Sequence, residues 1–489
     1  MKIQDLILKF PHLPEQIFQK LDNESLSKSR EVSKFWKNVI DGKNCSWLRI
    51  VNIPTILNNG NTYLHLGAKT GQIEAYKNAL AGEEDKYIRN EFNETSFLLA
   101  CKNGRFQIVQ LACQSGKTDE NKILMENTCS FNIGLNRRDK YWMTGFHWAC
   151  NKGYLDVVKI LMENAATLSI DLNATTAIGN NAFHMACYKG HSDVVKIVME
   201  NATSFGIDLR GKDNKGLSGF HWACQSGKLD VVKILMENAV ISSIDLNSRN
   251  NDGMTAFHWA CRRGASQVVK IFMENAATLN INLNIKDNNG LTGFHQACLN
   301  GNYHVIRLFM ENAATLNIDL NIKDNDGSTG FHQACQTSNS HVIKLFMDSE
   351  YLISASALRI DHNRKDNYGY TAFHYVCQRG KLKLFNIFME YASALSINLH
   401  TKNNCGDTGL DIARRMCSID VVKIFCLMEK TSTSSSIDLN RKGEDGWTGY
   451  HSMTKRLFRC GQDFHEERIC FGNWTGFHKA CLMEVLDMD

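Results

Sequence analysis

Residues 292–327 read T-G-F-H-Q-A-C-L-N-G-N-Y-H-V-I-R-L-F-M-E-N-A-A-T-L-N-I-D-L-N-I-K-D-N-D-G, and this stretch decides the fold because the chain copies it. Phe294, Ala297 and Cys298 fall at i, i+3 and i+4, one face of a short helix that Thr292 can cap and Gly301 can end. This is the inner helix. From Tyr303 to Asn312 the run V-I-R-L-F-M-E-N is apolar almost all round, which predicts an outer helix buried against neighbours on both sides. Ile318, Leu320 and Ile322 then alternate with polar residues up to Asp324-Asn325-Asp326-Gly327, an extended arm and a tight turn.

The unit recurs as T-G-F-H-W-A-C at Thr144, S-G-F-H-W-A-C at Ser218, T-A-F-H-W-A-C at Thr255 and T-G-F-H-Q-A-C at Thr292. Its histidines, His147, His184, His221, His258, His295 and His332, stand 37 residues apart, and His374 follows after 42, which places a five-residue insertion around Tyr351 to Ala355. Weaker copies lie around His65, Leu98 and Asp411, so about ten units cover residues 60–430. One such unit has too little surface to bury its own apolar faces and must stack on its neighbours.

At these residues the chain resembles ankyrin repeats, whose helix-opening signature T-P-L-H-x-A-A is matched with Gly or Ala for proline, Phe for leucine and Cys for the last alanine. The resemblance implies an all-α solenoid with short β-hairpin fingers. Two departures are visible. The 37-residue period carries four residues more than the family's 33, placed between outer helix and hairpin, which predicts a bulkier edge there. The proline that would fix the first helical turn is missing, so helix starts depend more on the threonine cap.

The opening differs. Ile17, Phe18 and Leu21, then Leu26, then Val32, Trp36 and Val39 have helical spacing, enough for three short helices in about 40 residues, near the lower limit for independent folding. The order Leu13-Pro14-Glu15, Ile17, Leu21, Ser25-Leu26, Arg30, Val32-Ser33, Trp36 over residues 8–50 resembles the F-box, which docks a substrate receptor on the Skp-type adaptor of cullin-RING ubiquitin ligases. Ser25 stands where that module usually carries aspartate. The resemblance implies that Leu13, Pro14, Ile17, Leu21, Leu26, Val32 and Trp36 make or support the adaptor contact. The bland alternative is that they pack the helices onto the first repeat.

Composition excludes other classes. Among 489 residues, 55 Lys and Arg oppose 51 Asp and Glu, a net charge of +4 that announces neither a nucleic acid nor an anionic membrane. Only 3 prolines rule out collagen-like or proline-rich disordered chains. No run of about 18 uncharged apolar residues occurs, and Gln4, Asp5 and Lys9 interrupt any apolar signal core at the start. The 17 cysteines, odd in number and spread evenly, fit free thiols in a reducing compartment, so a cytoplasmic or nuclear location is expected.

Several constellations carry less than they promise. Pairs such as His147/Cys150 and His258/Cys261 share a helix face, but each unit supplies two ligands and neighbouring pairs at helix-packing distance lie about 10 Å apart, too far for zinc. In ankyrin repeats this histidine ties adjacent hairpins by hydrogen bonds, and the cysteine position is a small core residue. Cys460, His465, Cys470, His478 and Cys481 in the tail, residues 431–489, read as decayed repeats serving as a cap, since T-G-F-H-K-A-C recurs there. Trp148, Trp222 and Trp259 are expected to fill space between repeats rather than stack on ligands. No phosphate-binding glycine loop, nucleophile elbow, H-E-x-x-H or paired carboxylates on a helix face occur, so neither catalytic residue, metal nor cofactor is expected.

The expected function is that of a substrate-recognition adaptor. Residues 8–50 would dock on a Skp-type adaptor and cullin, and the repeats would hold an unidentified target protein. The alternatives are a plain ankyrin interaction scaffold, or a parasite or symbiont effector borrowing its host's ligase. In ankyrin repeats the two positions after the A-C pair face the binding groove. Here they are Lys69-Thr70, Lys102-Asn103, Asn151-Lys152, Tyr188-Lys189, Gln225-Ser226, Arg262-Arg263, Leu299-Asn300, Gln336-Thr337, Gln378-Arg379 and Arg415-Met416. Eight of the twenty are basic and none is acidic, which predicts a locally positive groove and an acidic partner segment.

Overall fold

Each inner helix starts from a residue held in extended conformation by its own cap. Thr144 (φ −88°, ψ 173°) accepts the N–H of His147 on its hydroxyl, and its own N–H donates to His147 Nδ1, so a histidine completes the capping box where glutamate or glutamine is usual. The same box opens the helices that follow Thr62, Asn181, Thr255, Thr292, Thr329 and Thr371. Gly153, at φ 77°, closes the helix in the left-handed conformation that other residues reach only at a cost.

The computed structural model describes residues 58–81, 88–123, 135–347, 360–416 and 418–422. The helical module expected over 8–50, the insertion at 351–355 and the tail over 431–489 lie outside the described residues. The chain divides between Asn251 and Asp252 into two units. In the first, the inner helices are Tyr63–Thr70, Ser96–Lys102, Gly145–Lys152, Ala182–Lys189 and Gly219–Gln225, each followed by an outer helix such as Leu155–Glu163 or Ser192–Glu200. In the second, Ala256–Arg263, Gly293–Leu299, Gly330–Thr337, Ala372–Arg379 and Gly409–Arg415 are the inner helices, and Ser266–Asn275, Tyr303–Asn312, Ser340–Met347 and Leu382–Tyr391 the outer ones. Within each unit, inner helices pack side by side and outer helices form a second layer. No helix among the described residues is long and apolar enough to cross a membrane.

The core is built by repetition. Phe294, Ala297 and Cys298 of one repeat and Phe331, Ala334 and Cys335 of the next are all buried, and Phe309 and Phe346 from outer helices meet Phe294 at 5.2 and 6.0 Å. Missing prolines find their reason here. A Cβ on Gly293 would stand 2.7 Å from the Phe257 ring and 3.0 Å from Cys261 Sγ, so the larger Phe and Cys of one repeat occupy room at the next helix start. At Gly293 the close approach leaves no room for a side chain, whereas Ala182, Ala256 and Ala372 bury a Cβ at the same place in their repeats.

Two expectations are corrected. Outer helices are not buried all round: Tyr303–Asn312 has an outer-helix neighbour on each side and buries Val305, Ile306 and Phe309 against them and the inner layer, while Arg307 and Glu311 face solvent because no further layer covers that side. The fingers are not laddered strands. Asp213 Oδ1 accepts the N–H groups of Lys215 and Leu217, and Asp213 N donates to the Leu217 carbonyl, so each finger is a side-chain-stapled turn. The four extra residues add another turn after the outer helix, ending in a left-handed residue at Ser169, Gly206, Ser243, Asn280, Asn317 and Ser396.

Candidate protein-binding face

The ends of the inner helices carry the candidate site. All twenty positions singled out are described and none is buried: Lys152, Tyr188, Lys189, Arg262, Arg263, Asn300 and Arg379 are exposed, while Gln225, Leu299 and Gln336 are half-buried. The helical register dictates this, since Ala and Cys face the core and the next two residues rotate away from it.

Charge on this face is uneven. Lys102 is neutralised by Glu94, and Arg415 by Asp407. Those acids stand just before the capping threonine of the same repeat, where other repeats have Met143, Leu217, Leu291 or Ser328. Among the described residues Lys69, Lys152, Lys189, Arg262, Arg263 and Arg379 have no acidic partner within 4 Å. Their charge is open to a ligand.

The tryptophans are half-buried on this face, and Trp148 and Trp222 meet Lys102 and Tyr188 of the preceding repeat, so they fill space between repeats while staying partly open. Lys102 Nζ sits 4.5 Å and Lys152 Nζ 6.0 Å from the Trp148 ring centre, and the Arg262 guanidinium sits 5.3 Å from that of Trp259. The i, i+4 spacing of Trp148 with Lys152 and the i, i+3 spacing of Trp259 with Arg262 are the signals that could have disclosed these platforms. Trp148 Nε1 donates to Asp139 Oδ2, and Gln296, Gln333 and Tyr375 repeat that bond to Asp287, Asp324 and Asp366. Trp222 instead turns edge-on to Tyr188 at 5.3 Å. Its Nε1 and Gln225 Oε1 are buried atoms without a hydrogen-bond partner, a donor and an acceptor left over on the same face.

Behind the face, each histidine joins two repeats. His147 Nδ1 accepts a backbone N–H, which can only donate, so Nε2 carries the proton and donates to the Asn180 carbonyl. His184, His258, His295 and His374 make the same link to Gly211, Leu291, Ser328 and Asp407. Burial, opposed by the carbonyl bond, lowers the pKa of His147 and of His295 to about 4. Burial likewise raises the thiols of Cys150, Cys187, Cys224, Cys298 and Cys335. These pairs are thus spent on structure. Leu13, Pro14, Ile17, Leu21, Leu26, Val32 and Trp36 lie outside the described residues.

A family model agrees with this geometry. Overlapping stretches of the chain, 64–176, 111–213, 146–250, 204–283, 221–319 and 277–357, match the family model for ankyrin repeats in three copies. The chain belongs to the ankyrin-repeat family. It is 34% identical over 68 residues to alpha-latroinsectotoxin-Lt1a of Latrodectus tredecimguttatus, a match covering 14% of this chain and 5% of the toxin, so the chain spans about a twentieth of that relative's length. A similar solved structure is the ankyrin repeat domain of Bcl-3, a unique member of the IkappaB protein family, with 21% identity, a TM-score of 0.38, and coverage of 48% of this chain and 94% of that one. Ankyrin repeats are generally non-catalytic interaction modules, so the partners implied are proteins.

Proposed function

We propose that the chain is the substrate receptor of an SCF-type ubiquitin ligase, working in the cytoplasm or nucleus. Residues 8–50 dock on the Skp-type adaptor and, through it, the cullin, while the inner-helix ends hold an acidic segment of the target protein. The observation that carries the reading is one of sequence: the halves L-P-x-x-I-F-x-x-L from Leu13 and V-S-K-x-W from Val32 precede a repeat array with uncompensated basic residues at its inner-helix ends. The mechanism is proximity. Tethering raises the effective concentration of target lysines near the ubiquitin thioester, and no catalytic group in this chain is required.

Co-purification of the full chain with a Skp-type adaptor and a cullin tests the docking half. Leu13→Ala with Pro14→Ala abolishes it while helical circular dichroism stays unchanged. A double variant that keeps the adaptor, or a wild type that never binds it, leaves an ankyrin interaction scaffold.

A further inference from the structure

One asparagine per repeat ties successive extra turns together. Asn136 Nδ2 donates to the Ser169 carbonyl while its Oδ1 accepts the Asp171 N–H, and Asn173 does the same with Gly206 and Asp208. In the second unit Asn363 repeats both bonds with Ser396 and Asn398. The next rung after Asn173 is Arg210. Among the described residues the Ser243 carbonyl and the Asp245 N–H, which an asparagine there would bridge, have no partner, and the Arg210 guanidinium has no acid within 4 Å.

A second departure coincides with the first. The place of Leu168, buried at 3%, is taken in this repeat by Ser242, and the apolar residues have moved to Val240 and Ile241, each 85% exposed. Ile244 is only half-buried where Ile170 and Ile207 are buried. A cleft of about 800 Å³ opens at this spot between the two turns, with Arg210, Ile241, Ser242 and Ser243 in its wall. It lies beside the outer helices Ser192–Glu200 and Leu229–Glu237, not at the inner-helix ends.

We propose that this cleft docks a short linear peptide of a partner protein. Its backbone amide takes the vacant rung, accepting from Asp245 N–H and donating to the Ser243 carbonyl. A large aliphatic or aromatic side chain fills the room that the leucine position leaves at Ser242 and rests on Ile241. A single carboxylate pairs with Arg210. More than one is disfavoured, because Glu237 also lines the cleft and Lys196 is already engaged by Glu200 at 4.0 Å. The occupant therefore differs from an acidic run at the inner-helix ends, and the inference stands whether or not the chain docks on a ligase.

The test selects a random heptapeptide phage library on the full chain and measures the affinity of the enriched peptide by fluorescence polarisation. Enrichment of one large apolar residue next to one Asp or Glu is expected. Arg210→Asn with Ser242→Leu copies the residues at Asn173 and Leu168, so thermal stability should be equal or higher while affinity falls about tenfold or more. Ile241→Lys, at an exposed position, should weaken binding without changing the melting temperature. Arg262→Glu with Arg263→Glu should leave the peptide's affinity unchanged. No enrichment of that pattern, undiminished affinity in the repaired variant, or loss only in the Arg262/Arg263 variant overturns the proposal.

Discussion

The His147 imidazole and the Asn180 carbonyl belong to successive repeats and meet at 3.2 Å through Nε2–H. Since Nδ1 of the same ring is occupied by the Thr144 N–H, a second ring proton has no acceptor that can take it without breaking the capping box. The ring must stay neutral to do both jobs.

Stability therefore falls with pH in a defined window. The folded pKa of His147 and His295 lies at about 4, against about 6.5 when unfolded, so between those values the unfolded chain binds more protons. Their contribution is complete above pH 6.5 and lost as pH falls towards 4, about 3 kcal/mol each over the full window. The Asp171 charge near His147 and the Asp287 charge near His295 resist the shift, and Arg138 and Lys286 favour it. Melting temperatures measured from pH 7.5 to 4.5 should drop, and His147→Gln should have a lower melting temperature at pH 7.5 but a shallower decline. Identical slopes in both proteins would remove the histidine from the account.

How much of this was legible follows from the range of each interaction. The capping threonine, its histidine and the closing glycine lie within one helix, so their spacing disclosed the inner helices directly. The register also put Lys152 and Arg262 on the surface, because one or two residues past Cys150 and Cys261 a helix has turned from the core. Solvent on one side of Tyr303–Asn312 was not legible, since Leu308 and Met310 look like core residues until the number of covering layers is known. Nor was the cleft at Arg210 and Ser242. Each residue is an ordinary departure in the string, and they combine only where two turns 37 residues apart come together.

Cysteine reactivity should divide by burial. Cys101, Cys113, Cys150, Cys187, Cys224, Cys261, Cys298, Cys335 and Cys377 are buried, and Cys405 is exposed. Brief alkylation of the native protein, mapped by mass spectrometry, should modify Cys405 and spare those nine, because burial denies access to them. Under denaturing, non-reducing conditions all 17 cysteines should titrate as free thiols. Rapid native labelling at Cys261 or Cys298 would contradict the packing described.

Restoring the family's proline should harm this chain. Proline is favoured at the first helical position in general, yet at Gly293 its ring would enter space held by Phe257 and Cys261. Gly293→Pro should cost about 1–3 kcal/mol by overpacking. Phe257→Leu alone should also destabilise, through lost packing on Phe272 and Phe309 at 5.2 and 5.8 Å. Together they should cost less than the sum by about 1 kcal/mol or more, measured by urea denaturation in a double-mutant cycle. Strict additivity would mean that the two sites do not share that space.

Arg262 and Arg263 end the inner helix Ala256–Arg263, one above the Trp259 ring and both without an acidic partner among the described residues. A helix carboxyl end favours positive charge for its own sake, by a few tenths of a kcal/mol per residue, so exposure alone does not distinguish capping from binding. Reversal to glutamate separates them. If the arginines only complement the helix dipole, Arg262→Glu with Arg263→Glu lowers the melting temperature and leaves partner capture intact. If they hold an acidic segment, capture at low salt falls about tenfold, and high salt narrows the gap between variant and wild type because the attraction is screened within about 10 Å. Quantitative mass spectrometry of affinity-purified complexes across a salt series reads both effects, with adaptor recovery as the internal control expected to stay constant. Capture that is unchanged at every salt concentration places the target elsewhere, with the finger tips near Asn288 and Asn325 the next surface to vary.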